Sequence, residues 1–176
     1  MAVATLATFG GTTFSLGYAG QIANQEECSI FSLTNGSTTG GDDSAGMLDF
    51  GLAVARHATA GYCKRIAADA DLPIGITVRH VTMPTAPSTG AIGYRATEEV
   101  AIMYLGDVYC IAYENVTAGD SVLSVTAQGG KLSGPTSGVA GSGRVAIPNA
   151  HWVTTTSAGS VGRVRLTGVS NPKTTT

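Results

Sequence analysis

The chain has 176 residues, 43% of them apolar and 12% charged, with a net charge of −2. That length suits one domain able to bury a core without metal or disulfide staples, and that apolar share excludes wholesale disorder. The 12 acidic and 10 basic residues are scattered and the tightest basic group is only Arg163 with Arg165, which excludes the concentrated basic face that nucleic-acid binding needs. The charged share is about half the usual one, which suits a surface partly covered by neighbours.

In chain order, Met1–Gly20 is rich in Gly, Thr, Ala and Ser with no period, and reads as an extended arm. Met1–Leu16 carries no basic residue, so no secretory signal is expected there. No apolar run approaches the roughly 18–20 residues that span a bilayer, so no membrane segment is expected either. The arm has little to bury in its own domain and is expected to be dispensable for folding; Leu6 and Phe9 are its candidate anchors on a partner. Short helical turns are compatible with Gln21–Glu27 and, later, with Asn149–Val153. Ser32–Gly46 is polar, about 15 residues long, and reads as a loop whose length hints at function or at an ordering partner.

Strand patterns begin at Met47. Phe50, Leu52 and Val54 alternate with Gly51 and Ala53, and Ile74, Ile76 and Val78 alternate with Gly75, Thr77 and Arg79. Period two puts one set of side chains on each face of a sheet. The two strings Phe50–His57 and Ile74–His80 echo each other and read as similar, neighbouring strands, too short to be a repeat array. Val100, Ile102 and Tyr104 continue the theme. Leu105-Gly106-Asp107-Val108 reads as a tight hairpin turn, with Val108–Tyr113 returning and Tyr109, Ile111 and Tyr113 on one face. Ala118-Gly119-Asp120 turns the chain into a strand at Ser121–Thr126, Gln128-Gly129-Gly130-Lys131 turns it again, and Arg144–Ile147 and Gly162–Leu166 are late strands. The 24 Gly and 6 Pro sit mostly at strand ends, as many-stranded sandwiches and barrels require. The expected fold is all-β: a single β-sandwich or β-barrel-like domain over 21–169, an extended N-terminal arm over 1–20, long loops and a tail over 170–176.

Residues able to carry chemistry are few. Cys28, Cys63 and Cys110 are odd in number and widely spaced, which is neither a disulfide framework nor a zinc pattern; free thiols and assembly in a reducing cytoplasm are expected. His57, His80 and His151 fit no metal motif, although His57 and His80 both end strands that would be neighbours. Gly40–Gly46 lacks the Gly-x-Ser-x-Gly spacing that a nucleophile elbow needs around Ser44. Gly141-Ser142-Gly143-Arg144-Val145-Ala146 matches a dinucleotide fingerprint on paper, but that fingerprint must open a helix, and here Pro148 follows a strand pattern. Asn35-Gly36-Ser37 and Asn115-Val116-Thr117 fit the glycosylation sequon, which means nothing without secretion. Glu98 and Glu99 are adjacent, so on a strand they face apart and make no catalytic pair. Trp152 with Tyr104, Tyr109 and Tyr113 is a candidate sugar platform, against the commoner use of aromatics as core or interface anchors.

Several stretches, taken in order, carry a resemblance. Gly17-Tyr18-Ala19-Gly20-Gln21-Ile22-Ala23, Met47-Leu48-Asp49-Phe50-Gly51-Leu52-Ala53-Val54 and Leu72-Pro73-Ile74-Gly75-Ile76-Thr77-Val78-Arg79 are similar to the opening motif and first core strands of bacteriophage structural cement proteins, the capsid decoration family of the Gp24 type. Val116-Thr117-Ala118-Gly119-Asp120-Ser121-Val122, Ile147-Pro148-Asn149-Ala150-His151-Trp152 and Gly162-Arg163-Val164-Arg165-Leu166 resemble its later turn and C-terminal pattern. Ser37–Asp43 and Met83–Thr97 are enlarged relative to that family, and no role carries over to them.

The resemblance implies a virion protein with no active site and no cofactor or metal. It implies binding to the assembled major capsid protein at junctions between capsomers, on the outer surface of the head, as a homo-oligomer without direct nucleic-acid or membrane contact. Assembly would take place in the bacterial host cytoplasm. Leu6, Phe9 and Tyr18 are the candidate capsid contacts. A carbohydrate- or receptor-binding β-module on the virion is the alternative, and a small β-barrel enzyme the more distant one, since no convergent acid, base or metal site is visible.

Overall fold

The computed structural model describes residues 4–9, 12–37, 46–79, 93–135 and 143–169, with the backbone alone at 4–9, 12–16 and 24–26. Among these the chain forms β1 (Ala4–Phe9), β2 (Thr12–Gly17), β3 (Ile22–Asn35), β4 (Leu48–Asp49), β5 (Ala53–Arg56), β6 (Tyr62–Arg65), β7 (Pro73–Thr77), β8 (Gly93–Tyr94), β9 (Glu99–Ile111), β10 (Ser121–Val125), β11 (Lys131–Ser133), β12 (Arg144–Trp152) and β13 (Val161–Thr167). A 3₁₀ turn forms at Thr126–Gln128. The all-β expectation holds.

The organising strand is β9. Along one edge it pairs antiparallel with β3, from Ile22↔Val108 to Thr34↔Glu99. Along the other edge it pairs first with β7, at Ile102↔Thr77 and Met103↔Ile76, and then with β13, from Leu105↔Thr167 to Ile111↔Val161. The main sheet has nine strands in the order β11-β10-β12-β13-β9-β3-β6-β5-β7, and its β7 end returns to β9. The β11 end returns as well, just past the end of β9: Leu132 bridges Ala112, and its carbonyl accepts from the Tyr113 N–H at 2.7 Å. Two closed circuits of strand pairing therefore share one spine, a barrel-like arrangement that leaves few open edges. Among the described residues the pairing is antiparallel except where Thr34 and Asn35 meet Tyr62 and Cys63 and where Ala112 bridges Leu132, both in parallel.

Each circuit has its apolar cluster. Val54, Cys63, Ile74, Val100 and Ile102 gather with Leu48, Phe50 and Tyr94. The larger cluster runs from Ala53, Ile76 and Met103 through Val108, Cys110, Val122 and Leu132 to Trp152, Val164 and Leu166. The short pair β4–β8, with Leu48 opposite Tyr94, contributes to the smaller cluster, and the Tyr94 hydroxyl is tied to the Val78 carbonyl at 2.5 Å. The echo between Phe50–His57 and Ile74–His80 does reflect neighbours: β5 and β7 pair at Ala53↔Ile76 and Val54↔Gly75.

Three sequence expectations change. Leu105–Val108 is not a hairpin, because β9 runs straight through it. The register with β3 passes from Ser29↔Leu105 to Ile30↔Met103, leaving Tyr104 as an extra residue, which is a β-bulge. Gly106 has φ of 122°, and a Cβ there would come within 3.0 Å of the Cys28 Cβ and the Glu27 carbonyl. A hairpin and a bulge both use glycine at positive φ, so Gly106-Asp107 alone does not separate them. The bulge also reverses which face is buried: Val100 and Ile102 feed the smaller cluster, Val108 and Cys110 the larger. Second, Gln21–Glu27 and Asn149–Val153 are not helical; they lie almost wholly in β3 and β12, and Asn149, at φ 56°, bends its strand while its amide donates to the Gly168 carbonyl. Third, Ser32–Asn35 extends β3 rather than starting a loop; residues 38–45 lie outside the described residues. The arm, finally, contains β1 and β2, which pair at Leu6↔Phe14 and Phe9↔Thr12 as a sheet of their own.

Candidate functional site

The Gly17–Gln21 motif is a latch at the base of the β1–β2 hairpin. Gln21 N–H closes a turn on the Tyr18 carbonyl at 3.0 Å, Gly20 N–H donates to the Tyr109 carbonyl at 2.7 Å, and Gly20 O accepts from Arg79 N–H at 2.8 Å. Small residues are required: a Cβ on Gly17 would strike the Tyr109 ring and one on Gly20 the Phe50 Cβ. Tyr18 is half-buried, with the Arg79 guanidinium 4.6 Å from its ring centroid, a distance at which the cation is attracted to the ring face. The structure thus places Tyr18 where the hairpin meets the body. Leu6 and Phe9 lie on β1, at the far side of that latch in sequence.

Among the described residues, the exposed large apolar side chains fall on β3, β9 and the segments that follow β9 and precede β7: Ile30, Tyr104, Ile111, Tyr113 and Leu72. Tyr104, the bulged residue, packs its ring 5.7 Å from Phe31 of β3. Tyr113 instead has the Lys131 ammonium 5.7 Å from its ring. Trp152 is fully buried and its indole N–H donates to the Ser133 carbonyl at 3.1 Å. A platform built on Trp152 is therefore not formed.

Asp107, Glu114 and Asp71 are held in ion pairs with Arg165 and Arg163, Arg144 and Lys64 respectively. Asp107 is 3% exposed and accepts from Arg165 Nε at 2.7 Å and Nη2 at 2.8 Å, with Arg163 Nε at 3.8 Å. The Arg165 hydrogen bonds hold the Asp107 carboxyl below the usual carboxylate range, against its burial. The tightest basic pair of the sequence is thus committed to a buried carboxylate rather than to a phosphate. Arg144 grips Glu114 with two bonds, at 3.0 and 2.7 Å, and also reaches Ser133 Oγ, which ties β12 to β11 and to the segment after β9. Burial pushes the Asp71 carboxyl up, but Lys64 and the Ala67 and Ala68 amides outweigh it and hold it low.

The other sequence candidates are accounted for residue by residue. Asn35 is buried, its amide donating to the carbonyls of Gly46, Tyr94 and Arg95 at 2.8, 3.2 and 3.0 Å, so it holds the loop ends around β3 and offers no sequon. Asn115 accepts from Ala158 N–H. Glu98 accepts from Arg95 N–H at 2.7 Å, while Glu99 begins β9 opposite Thr34. His57 Nδ1 accepts from Thr59 N–H at 3.0 Å; His80 and Ser44 lie outside the described residues. Arg144–Ala146 belongs to a strand, so no helix follows Gly141-Ser142-Gly143. Among the described residues no cluster of three His, Cys, Asp or Glu forms a metal site. Cys28, Cys63 and Cys110 are all free, with Cys63 and Cys110 buried; burial pushes the Cys63 thiol up to about 11 and the Cys110 thiol up as well. No helix among the described residues is long and apolar enough to cross a membrane.

The surface that sequence reasoning missed is the outer edge of β3. The sequence reads as a helical turn at Gln21–Glu27 and a loop from Ser32, with Cys28–Phe31 in neither, and the readable signal is the Ile30-Phe31-Ser32-Leu33 run with neither Gly nor Pro inside.

The fold has a solved counterpart in a phage head. A chain of the capsid of Myoviridae phage XM1 superposes with a TM-score of 0.61 at 18% identity, covering 89% of this chain and 94% of that one. Curated proteins give no match. The structural cement protein family, described as E217 gp24/Pam3 gp6, matches residues 7–167, from within β1 to the end of β13. The chain belongs to that family, and is a structural component of a phage virion.

Proposed function

We propose that this protein binds the outer surface of the assembled major capsid protein lattice at capsomer junctions and holds the mature head against the pressure of packaged genome, with no catalytic step. The family match over nearly the whole chain carries the reading. The physics is consistent with it. Two circuits of strand pairing on one spine make a stiff body, and a body that binds only the expanded lattice stabilises it by mass action. Many copies engaging several neighbours gain further from simultaneous contact. A share of charge of only 12% suits a protein whose surface is largely covered. Leu6, Phe9 and Tyr18 are the proposed capsid contacts, on and at the base of the hairpin.

The test is addition of purified protein to expanded shells made without it. Saturable binding with raised resistance of the shells to heat and osmotic shock is expected, with no binding to unexpanded precursors. Equal binding to both forms, or binding without stabilisation, contradicts the proposal.

A further inference from the structure

Among the described residues, the strand β3 is open along one edge. Thr34 N–H donates to the Gly61 carbonyl and Gly36 N–H to the Cys63 carbonyl, both on the side where β6 lies, whereas Asn35 N–H turns to the Glu98 carbonyl on the β9 side. Backbone direction alternates along a strand, so Ile30 and Ser32 also aim their N–H and C=O groups at the β6 side. There β6 pairs only with Thr34 and Asn35, and among the described residues no strand pairs with Ile30 or Ser32 on that edge. Both residues are exposed, Ile30 at 40%. Natural edges are protected by charged side chains, proline or short length; β3 has 14 residues, and its open stretch Cys28–Leu33, which follows Glu26 and Glu27, contains no charged residue and no Pro.

The same chain carries a second unfinished sheet. β1 and β2 form a two-stranded ribbon that no third strand joins among the described residues. Such a ribbon is marginal alone and is stabilised by a third strand. Each of its strands has six residues, which matches the open stretch Cys28–Leu33. Residues 1–17 carry no charged side chain, so nothing repels them from the edge. The base of the ribbon is latched to its own body through Gly20 and Gln21, so the ribbon is presented rather than free to wander, and strand addition then has little entropy to overcome.

We infer that the β1–β2 ribbon of one copy adds to the open β3 edge of a second copy, joining copies of this chain by backbone hydrogen bonds. The contact is head-to-tail, one ribbon and one edge per chain, so it closes into a ring or continues along a surface. Strand addition uses the backbone, which leaves the ribbon's side chains for the shell.

Two variants test it. Deleting residues 2–16 removes the ribbon and keeps the edge. Ser32→Pro blocks the edge and keeps the ribbon, and because the Ser32 N–H faces away from β9 it breaks no bond of the β3–β9 ladder; Ile30→Lys is the second edge variant should proline unfold the chain. Circular dichroism checks folding, and sedimentation velocity at rising concentration reads association. The full chain is expected to self-associate, and each variant at least about tenfold more weakly. An equimolar mixture of the deletion with Ser32→Pro is expected to form a heterodimer, since one supplies the edge and the other the ribbon. A full chain that stays monomeric, a deletion that associates like the full chain, or a mixture that stays apart overturns the inference. If hydrogen exchange at residues 28–33 slows only on shells and never on self-association, the occupant is a capsid strand and the second-copy assignment falls. Shell binding by the full chain is scored separately, so its failure would count against the cement reading alone.

Discussion

Gly75→Ala probes the closure of the smaller circuit. Gly75 sits where β7 crosses from β5 to β9, and a Cβ added there would lie against the Met103 carbonyl oxygen and the Ile102 Cγ2, well inside van der Waals contact. Backbone cannot yield as a side-chain tip can, so β7 must move off β9. Overpacking of this kind costs about 1–3 kcal/mol. Loosening the Ile76↔Met103 and Thr77↔Ile102 pairing adds roughly 1 kcal/mol for each bond weakened. A total near 3 kcal/mol corresponds to a melting temperature lower by roughly 6–12 °C at this chain length. Gly61→Ala is the control: φ is 85° and nothing lies within 4 Å of its Cβ position, so it carries only the backbone penalty of about 1 kcal/mol. Thermal unfolding followed by circular dichroism decides. Gly75→Ala melting no lower than Gly61→Ala would refute the idea that close β7–β9 contact closes the circuit.

The carboxyls of Asp107 and Asp71 are held below their unfolded value of about 3.9 by Arg165 and by Lys64 with two amides. Their stabilisation is therefore present above that value and is lost as pH falls through the lower folded one; denaturant midpoints should hold steady down to about pH 4–5 and then drop, with a shallower drop in Asp107→Asn. Cys28 should react with a thiol reagent in the native state, while Cys63 and Cys110, buried with raised pKa, should react only on unfolding; intact mass before and after denaturant reads this, and a disulfide-linked pair would contradict it. Asn35→Ala should cost about 2–3 kcal/mol by leaving the Gly46, Tyr94 and Arg95 carbonyls short of a donor, measured by chemical denaturation; a change within error would mean the loop ends hold without it.

What the sequence made legible was the part of the sheet buried on both faces or cleanly alternating. Ile74–Thr77 and Ala53–Arg56 repeat a branched–small pattern and are indeed neighbours. The turns at Ala118–Asp120 and Gln128–Lys131 followed from glycine chemistry, and Gly119 and Gly129 do have positive φ. What stayed hidden was long-range. In β3 exposed Cys28, Ile30 and Ser32 alternate with half-buried Ser29, Phe31 and Leu33, but apolar Ile30 stands on the exposed face and polar Ser29 on the covered one, so the hydropathy of the sequence shows no clean period. The continuity of β9 depends on Cys28 and Glu27 packing over Gly106 from a distant strand, which no local window contains. Of the candidate site, the Gly17–Gln21 motif was legible as a motif, while its role as a latch needed Tyr109, Phe50 and Arg79 from three other segments.

The central claim, that this protein cements the outside of a phage head, is tested most directly by a cryo-EM map of the intact particle. The account predicts the two-circuit body as outward density over capsomer junctions, present in copies comparable to the major capsid protein. Density confined to the tail or one vertex, or lining the inside of the shell, would contradict it.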